Sequence, residues 1–457
     1  EHKLYGGFED DAAAAAAHKM RMTNLILHVV NALLVRSITI RRLNRSSTEG
    51  WISAVLFALH PVRVESVAWI IERKDLLSGL FFLWALYVHP NSRPDAASDG
   101  AQGTYGSNDT YGGTAGNEAR MKAAMASTAL YALGLLSKTA AVSLPVALLI
   151  IPWYHRGALR RRDLTDVLPL FAAGILLISL DMSFDDRSVV GFGYTVQQRI
   201  LLGTRAVCFY LSKFLCPTDL VMIYPRWNVE IDPLYVWHSC FGAVAFLLLY
   251  LGYASMTGGM GRGPFASLLF FGAALGPSLC LVDYSYMQYS FVADRFQYLA
   301  CAGPAAVVAG SLDALFGSAR IGEGAKRASA SMLGALLVVT PGALTNSHSR
   351  HFLDGGTYFP RVVDRNPRSV HGWKASGGSS RVDRRFTTGA AEMARNAVDR
   401  WERSTAAEAE RDHLGGRPSR MYAGGRDSSR FGFDPAAERT VRGGHGTPEE
   451  GHRIRRE

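Results

Sequence analysis

Apolar stretches of about 15 to 20 residues recur from Met22 to Thr345, and none follows His348. A chain whose residues are 48% hydrophobic and 19% charged does not suit a soluble, surface-rich globule. Backbone polar groups inside a bilayer must find partners within their own segment, so an all-α polytopic membrane protein is expected. The spans fall at 22–40, 51–59, 76–88, 123–136, 140–154, 167–182, 200–214, 236–253, 265–282, 297–316 and 331–345. Several are short for a hydrocarbon layer of about 30 Å and must tilt or borrow flanking residues, which predicts about nine to eleven membrane helices.

The formal net charge of +10 would suit nucleic acid or an acidic surface, but the basic residues collect in short loops and in the tail. No RRM-like or zinc-knuckle pattern accompanies them, so no nucleic-acid partner is expected. Arg36, Arg41, Arg42 and Arg45, then Arg156, Arg160, Arg161 and Arg162, then Arg320, Lys326 and Arg327 mark cytoplasmic loops. Segments 61–75, 184–199, 217–233 and 283–295 then share the opposite side. Span 200–214 has both flanks on that side, so it must be re-entrant or lie along the interface.

Residues 1–21 read as the N-terminal linker of a truncated chain, because Glu1 is neither an initiating methionine nor part of a signal region. The multi-pass region is 22–346. Within it, 89–120 is a Gly, Ser, Asn and Asp insertion expected to be disordered. Residues 378–457 form a basic, mostly disordered tail, with one amphipathic helix expected over 389–411. The five cysteines form no CxxC pair and read as packing residues. No metal is expected, since no His and Cys cluster has zinc spacing, and no Walker, GxSxG or calcium loop occurs.

The segment LFALHPVRVESVAWIIERKDLLSGLFFLWAL, 56–86, puts His60, Arg63, Glu65, Glu72, Arg73, Lys74 and Asp75 between two apolar runs. On one helix beginning near Pro61, Glu65, Glu72 and Asp75 would share a face. Ionisable groups so near a bilayer are costly unless paired or functional. A solvated loop with intrahelical ion pairs is the plainer alternative.

HPVRVESVAWIIERKDLLS resembles the HPVHxEAVAWIxGRxDLLS signature of the transmembrane and tetratricopeptide repeat-containing (TMTC) family and its bacterial relatives. GLLSKTAAVSLPVALLIIPWY from Gly134, FYLSKFLCPTDLVMIYP from Phe209 and YSFVADRFQYLACAGP from Tyr289 agree with that family in order. The match departs at Ile71, Glu72 and Thr139. The resemblance implies a GT-C type multi-pass helical bundle in the endoplasmic reticulum membrane, with a lumenal site and lumenal tetratricopeptide repeats. NPRSVHGWKASG from Asn366 looks like the start of such a repeat, within 347–377.

The resemblance also implies protein O-mannosyl transfer from dolichyl-phosphate mannose to Ser or Thr of secretory-pathway acceptor proteins. No cofactor is implied beyond that lipid-linked sugar donor, and the partners are membrane lipid, donor and acceptor. The chemistry needs a carboxylate for the hydroxyl proton and cations for the departing phosphate. In the family the favoured acidic pair lies upstream of the part matching 23–35, and is expected to lie outside this sequence, so Glu65 and Asp75 are secondary catalytic candidates and the chain as given is expected to transfer no sugar by itself. Arg295, Lys138 and Arg73 are candidates for the donor phosphate, with interfacial snorkelling as their alternative. His60, Asp294, Tyr298 and Tyr224 complete the lumenal set, although an aromatic belt explains Tyr224 with Trp227 equally well. A noncatalytic scaffold acting through lumenal repeats and a secondary transporter are the competing functions, the latter disfavoured because no inverted repetition is found.

Overall fold

The computed structural model describes residues 11–92, 114–184, 192–229, 240–318, 323–352, 355–366 and 369. Most of the 89–120 insertion, the tail with its 389–411 helix, and the repeat-pattern residues Pro367, Trp373 and Gly377 lie outside them. The described residues are helical and contain no strand. The helices are α1 Asp11–Arg41, α2 Ser47–Leu59, α3 Val64–Ala68, α4 Arg73–Val88, α5 Thr114–Ser137, α6 Leu144–Arg156 and α7 Arg161–Phe184. They continue with α8 Val196–Leu215, α9 Phe241–Thr257, α10 Gly263–Leu275, α11 Ala302–Ser318, α12 Glu323–Ser349 and α13 Gly355–Arg365.

The burial pattern is that of a bundle surrounded by lipid. On α1 the polar Asn24, His28 and Asn31 are buried with Val35 and Ile38, while Leu25, Ile26, Val29 and Leu33 are exposed. Helix α7 exposes Leu168, Ile175 and Leu176, and α9 exposes Phe246, Leu249 and Tyr253. An apolar outside with polar residues turned inward suits hydrocarbon as the solvent. Among the described residues, Ala15–Arg41 and Arg161–Leu180 are long and apolar enough to cross a membrane, and Ser47–Leu59 with Pro61–Ala68 forms a third candidate bent by 54°. Helices α2, α4, α6, α9, α10 and α11 have only 13 to 17 residues. At about 1.5 Å per residue these fall short of a full hydrocarbon layer. The chain is an all-α, multi-pass membrane protein whose spans are mostly truncated by irregular turns.

Two expected spans are shortened for local reasons. Span 265–282 stops as α10 at Leu275, where Gly276 and Pro277 open a tight turn. Span 297–316 begins as a helix only at Ala302, because 294–301 is taken up by buried turns around Asp294, Arg295 and Gln297.

Loops gather at two ends of the bundle. At one end His155 Nε2 pairs with the Arg42 carbonyl at 2.7 Å, and Arg262 Nη1 donates to the His155 carbonyl at 3.0 Å. The arginine-bearing turns after α1 and α6 therefore meet the turn before α10. The other end carries 60–75, the Lys138 turn, 216–229 and 276–297. Helix α8 is tied to this second end at both its termini. Arg199 makes a forked pair with Asp283 at 2.8 and 3.0 Å, and the Phe214 carbonyl accepts from His60 Nε2 at 2.8 Å. This is the arrangement expected for a helix lying along one face. Helix α13 packs there too, with Tyr358, Phe359 and Val362 against Met222 and Ile223.

Candidate functional site

The site is built where the chain between α2 and α4 cannot remain one helix. Pro61 opens a short 3₁₀ turn, Pro61–Arg63, and α3 follows for one turn. Trp69 is then extended at φ −83° and ψ 113°, and a second 3₁₀ turn, Ile70–Glu72, leads into α4. Glu65, Glu72 and Asp75 therefore do not share the face of a continuous helix. They are brought together across the break by two cations from distant parts of the sequence.

Arg295 is the first cation. Its guanidinium donates from Nη1 to Glu65 Oε1, its backbone N–H donates to Glu65 Oε2 at 3.0 Å, and its Nε lies 3.5 Å from Glu72 Oε1. The guanidinium stands 4.3 Å from the centre of the Tyr286 ring, with the rings of Phe296 and Trp69 at 4.9 and 5.5 Å. Lys138 is the second cation. Its ammonium donates to Asp75 Oδ1 and lies 3.9 Å from Glu72 Oε2. The Lys138 side chain is 20% exposed while those of Glu72 and Asp75 are 3% exposed, so the lysine forms the rim of the cluster.

Asp294 lies next along the chain, fully surrounded, and both its oxygens accept from the Tyr224 hydroxyl at 3.0 and 2.9 Å. Lys213 approaches the other side of Tyr224, 5.5 Å from its ring centre. Burial, then the Glu65 carboxylate, raises the Asp294 carboxyl above the ordinary range. Burial and Asp294 likewise raise the Tyr224 phenol, and Tyr286 is raised by burial above all. Burial alone would lower the Arg295 guanidinium, but Glu65, Tyr286 and Glu72 outweigh it and raise it. Four buried carboxyl groups thus meet Arg295 and Lys138 within the cluster, with Lys74 3.8 Å from Glu72 Oε1 and Lys213 beyond Tyr224 at its edge. Among the described residues, the buried Glu72 Oε2 and Asp75 Oδ2 accept no hydrogen bond, so part of the carboxylates' acceptor capacity is unused.

Other candidates are committed elsewhere. His60 stacks on Phe214 at 4.9 Å, gives Nε2 to the Phe214 carbonyl, and accepts from Val62 N–H, so both ring nitrogens are used. Tyr298 joins His28 and Asn31 through its hydroxyl at 2.8 and 3.0 Å, below the carboxylates. Gly79 makes room for that ring: a Cβ there would lie 3.0 Å from Tyr298 Cε1. Arg73 turns away to Asn24 Oδ1 and the Met20 carbonyl, at 3.0 and 3.1 Å. Arg63 does not pair with its sequence neighbour Glu65. It is buried over the Phe57 ring at 4.3 Å and donates to the carbonyls of Phe57, Gln297 and Tyr298. Sequence reasoning missed Trp69, Tyr286 and Phe296 as the walls around Arg295; the aromatic density of YSYMQYSFVADRF was the available signal.

No protein-family model matches the chain. It is similar over short stretches to Protein O-mannosyl-transferase TMTC4 of Homo sapiens, 32% identical over 93 residues, covering 16% of this chain and 13% of that protein. It is also similar to Protein O-mannosyl-transferase TMTC3 of Homo sapiens, 36% identical over 76 residues, and of Mus musculus, 33% over 75, each covering 16% of this chain and 8% of the relative. The matched part thus spans about a tenth of those relatives' length. A crystal structure of the Archaeoglobus fulgidus oligosaccharyltransferase in the apo form aligns at a TM-score of 0.35 and 13% identity, over 76% of this chain and 46% of that one, a likeness too low to set the fold.

Proposed function

We propose that the chain is the membrane part of a GT-C type glycosyltransferase of the TMTC kind, transferring mannose from dolichyl-phosphate mannose to a Ser or Thr hydroxyl. The observation that carries this reading is Lys138 at the rim, shared by Asp75 and Glu72, with the buried Asp75 Oδ2 beside it accepting no hydrogen bond. The similarity to the named O-mannosyl-transferases supports the sugar and the acceptor class. In this reading the acceptor hydroxyl oxygen bonds to the anomeric carbon as the bond from that carbon to the phosphate oxygen breaks. The hydroxyl proton goes to a carboxylate, for which Asp75 is the group of this chain best placed. The polyprenyl phosphate leaves with its charge held by Lys138. Arg295 is a positioning residue, holding Glu65 and Glu72 behind the rim. In this reading the site face is lumenal, in the endoplasmic reticulum, with α13 on the same side.

The test is transfer of labelled mannose from dolichyl-phosphate mannose to a Ser/Thr peptide by the reconstituted protein with the family's upstream lumenal loop included. Asp75→Asn is expected to lower transfer by about 10² to 10⁴, the usual contribution of a general base. Lys138→Met is expected to weaken donor use by about ten-fold or more, as loss of a charge-assisted contact does. Undiminished transfer by both variants, or flux of a solute with no transfer at all, overturns the proposal.

A further inference from the structure

Two hollows adjoin at the arginine-bearing end, opposite the carboxylate cluster. The inner one, about 320 Å³, lies between α1, α4, α6, α10 and α11 and is lined by apolar groups such as Val35, Leu86, Ile151, Phe270 and Ala306. It is twice the size of the ~150 Å³ apolar cavities that stay dry and accept a hydrocarbon guest, and it reaches the lower range of small-molecule sites. The outer one, about 500 Å³, is lined by Asn44, Arg45, His155 and Arg262 among others, and the two share Leu43, Arg45, Tyr154 and Met260. Arg45 therefore stands where the polar vestibule meets the apolar chamber. Its side chain is 44% exposed and only loosely paired, with Nη1 3.6 Å from Glu49 Oε1. Arg262 is fixed across the vestibule by the His155 carbonyl and by the bare backbone of Gly157 at φ +75°, where a Cβ would lie 2.7 Å from the guanidinium.

We propose that these hollows hold one anionic glycerophospholipid, its phosphate between Arg45 and Arg262 and one acyl chain in the inner chamber. A free phosphate would leave the chamber empty, and a neutral hydrocarbon would leave the two guanidinium charges with no anion beyond the loose Glu49 contact of Arg45; a lipid anion satisfies both. The end concerned is also the one where Arg41, Arg42, Arg156 and Arg160 lie, the side the charge rule turns toward an anionic leaflet. This site is independent of sugar transfer and is tested without it.

The probe is phosphatidylserine carrying an acyl-chain diazirine, compared with the matching phosphatidylcholine, in phosphatidylcholine vesicles holding the full chain. Adducts are expected within 302–314 and 35–43, with phosphatidylserine favoured about ten-fold, since its headgroup carboxylate and net negative charge add about one charge-assisted contact that the choline cation of phosphatidylcholine cancels. Arg45→Ala is expected to remove that preference, Arg45→Lys to keep most of it, and Ala306→Phe to abolish chamber adducts from both lipids. Should Ala306→Phe not assemble, competition of unlabelled phosphatidylserine against phosphatidylcholine in the parent protein decides. Equal labelling by the two lipids, adducts confined to outward residues such as Leu25 and Val29, or chamber labelling that survives an assembled Ala306→Phe overturns the proposal.

Discussion

Replacing Arg295 by Met removes the guanidinium while keeping a long apolar side chain among Tyr286, Phe296 and Trp69. Glu65, 1% exposed, then loses its ionic partner and keeps only the backbone N–H of residue 295 at 3.0 Å. Glu72 retains Lys74 at 3.8 Å and Lys138 at 3.9 Å. Breaking a buried pair from one side costs about 3 to 5 kcal/mol. The lost ring contacts add about 0.5 to 2, and protonation of Glu65 gives part of the total back. A net loss of about 3 kcal/mol is expected, read by denaturant unfolding in micelles through tryptophan fluorescence. Glu65→Gln placed on top should recover more than half of it, since Gln keeps an acceptor for the backbone N–H and carries no charge. A single variant costing under about 1 kcal/mol, or a double variant with no coupling, refutes the reasoning. A variant as stable as the parent that needs about ten-fold or more donor would instead make Arg295 an open phosphate ligand.

Asp294 has a raised carboxyl, so its proton is held more tightly in the folded chain, and stability falls as pH rises from the ordinary carboxylate range toward the folded value. Asp294→Asn should therefore raise the thermal midpoint at neutral pH and lose that gain at acid pH; an equal midpoint throughout would contradict the shift. Gly79→Ala pushes a Cβ to 3.0 Å from the buried Tyr298 ring and should cost about 1 to 3 kcal/mol in the same unfolding assay, as overpacking does. Cysteines placed at Lys74 and at Arg160 should react with an impermeant maleimide from opposite sides of sealed vesicles. Asn44, within Asn44-Arg45-Ser46, should stay unglycosylated; a glycan there would invert the orientation.

The positions of the helices were legible from apolar run lengths, because hydrocarbon imposes a simple requirement on backbone and side chains alike. The grouping of loops into two ends was legible from arginines, and the contacts of His155, Arg42 and Arg262 agree with it. The joining of Glu65 to Arg295 was not, since 230 residues separate them and nothing local marks a long-range pair. Arg63, only two residues from Glu65 in the sequence, is aimed into the core by the turn at Pro61. The break at Trp69 was equally hidden, for VESVAWIIERKD has no glycine or proline to announce it.

The placement of α8 has a consequence for assembly. A helix tied at both termini to one face changes no orientation, so the segments on either side of it thread as though it were a loop. Its depth then depends on how tightly the surrounding lipids pack, as for any amphipathic helix seated among headgroups. Because its Phe214 carbonyl accepts from His60, lateral pressure in that leaflet bears directly on the turns that carry Arg63 and Glu65.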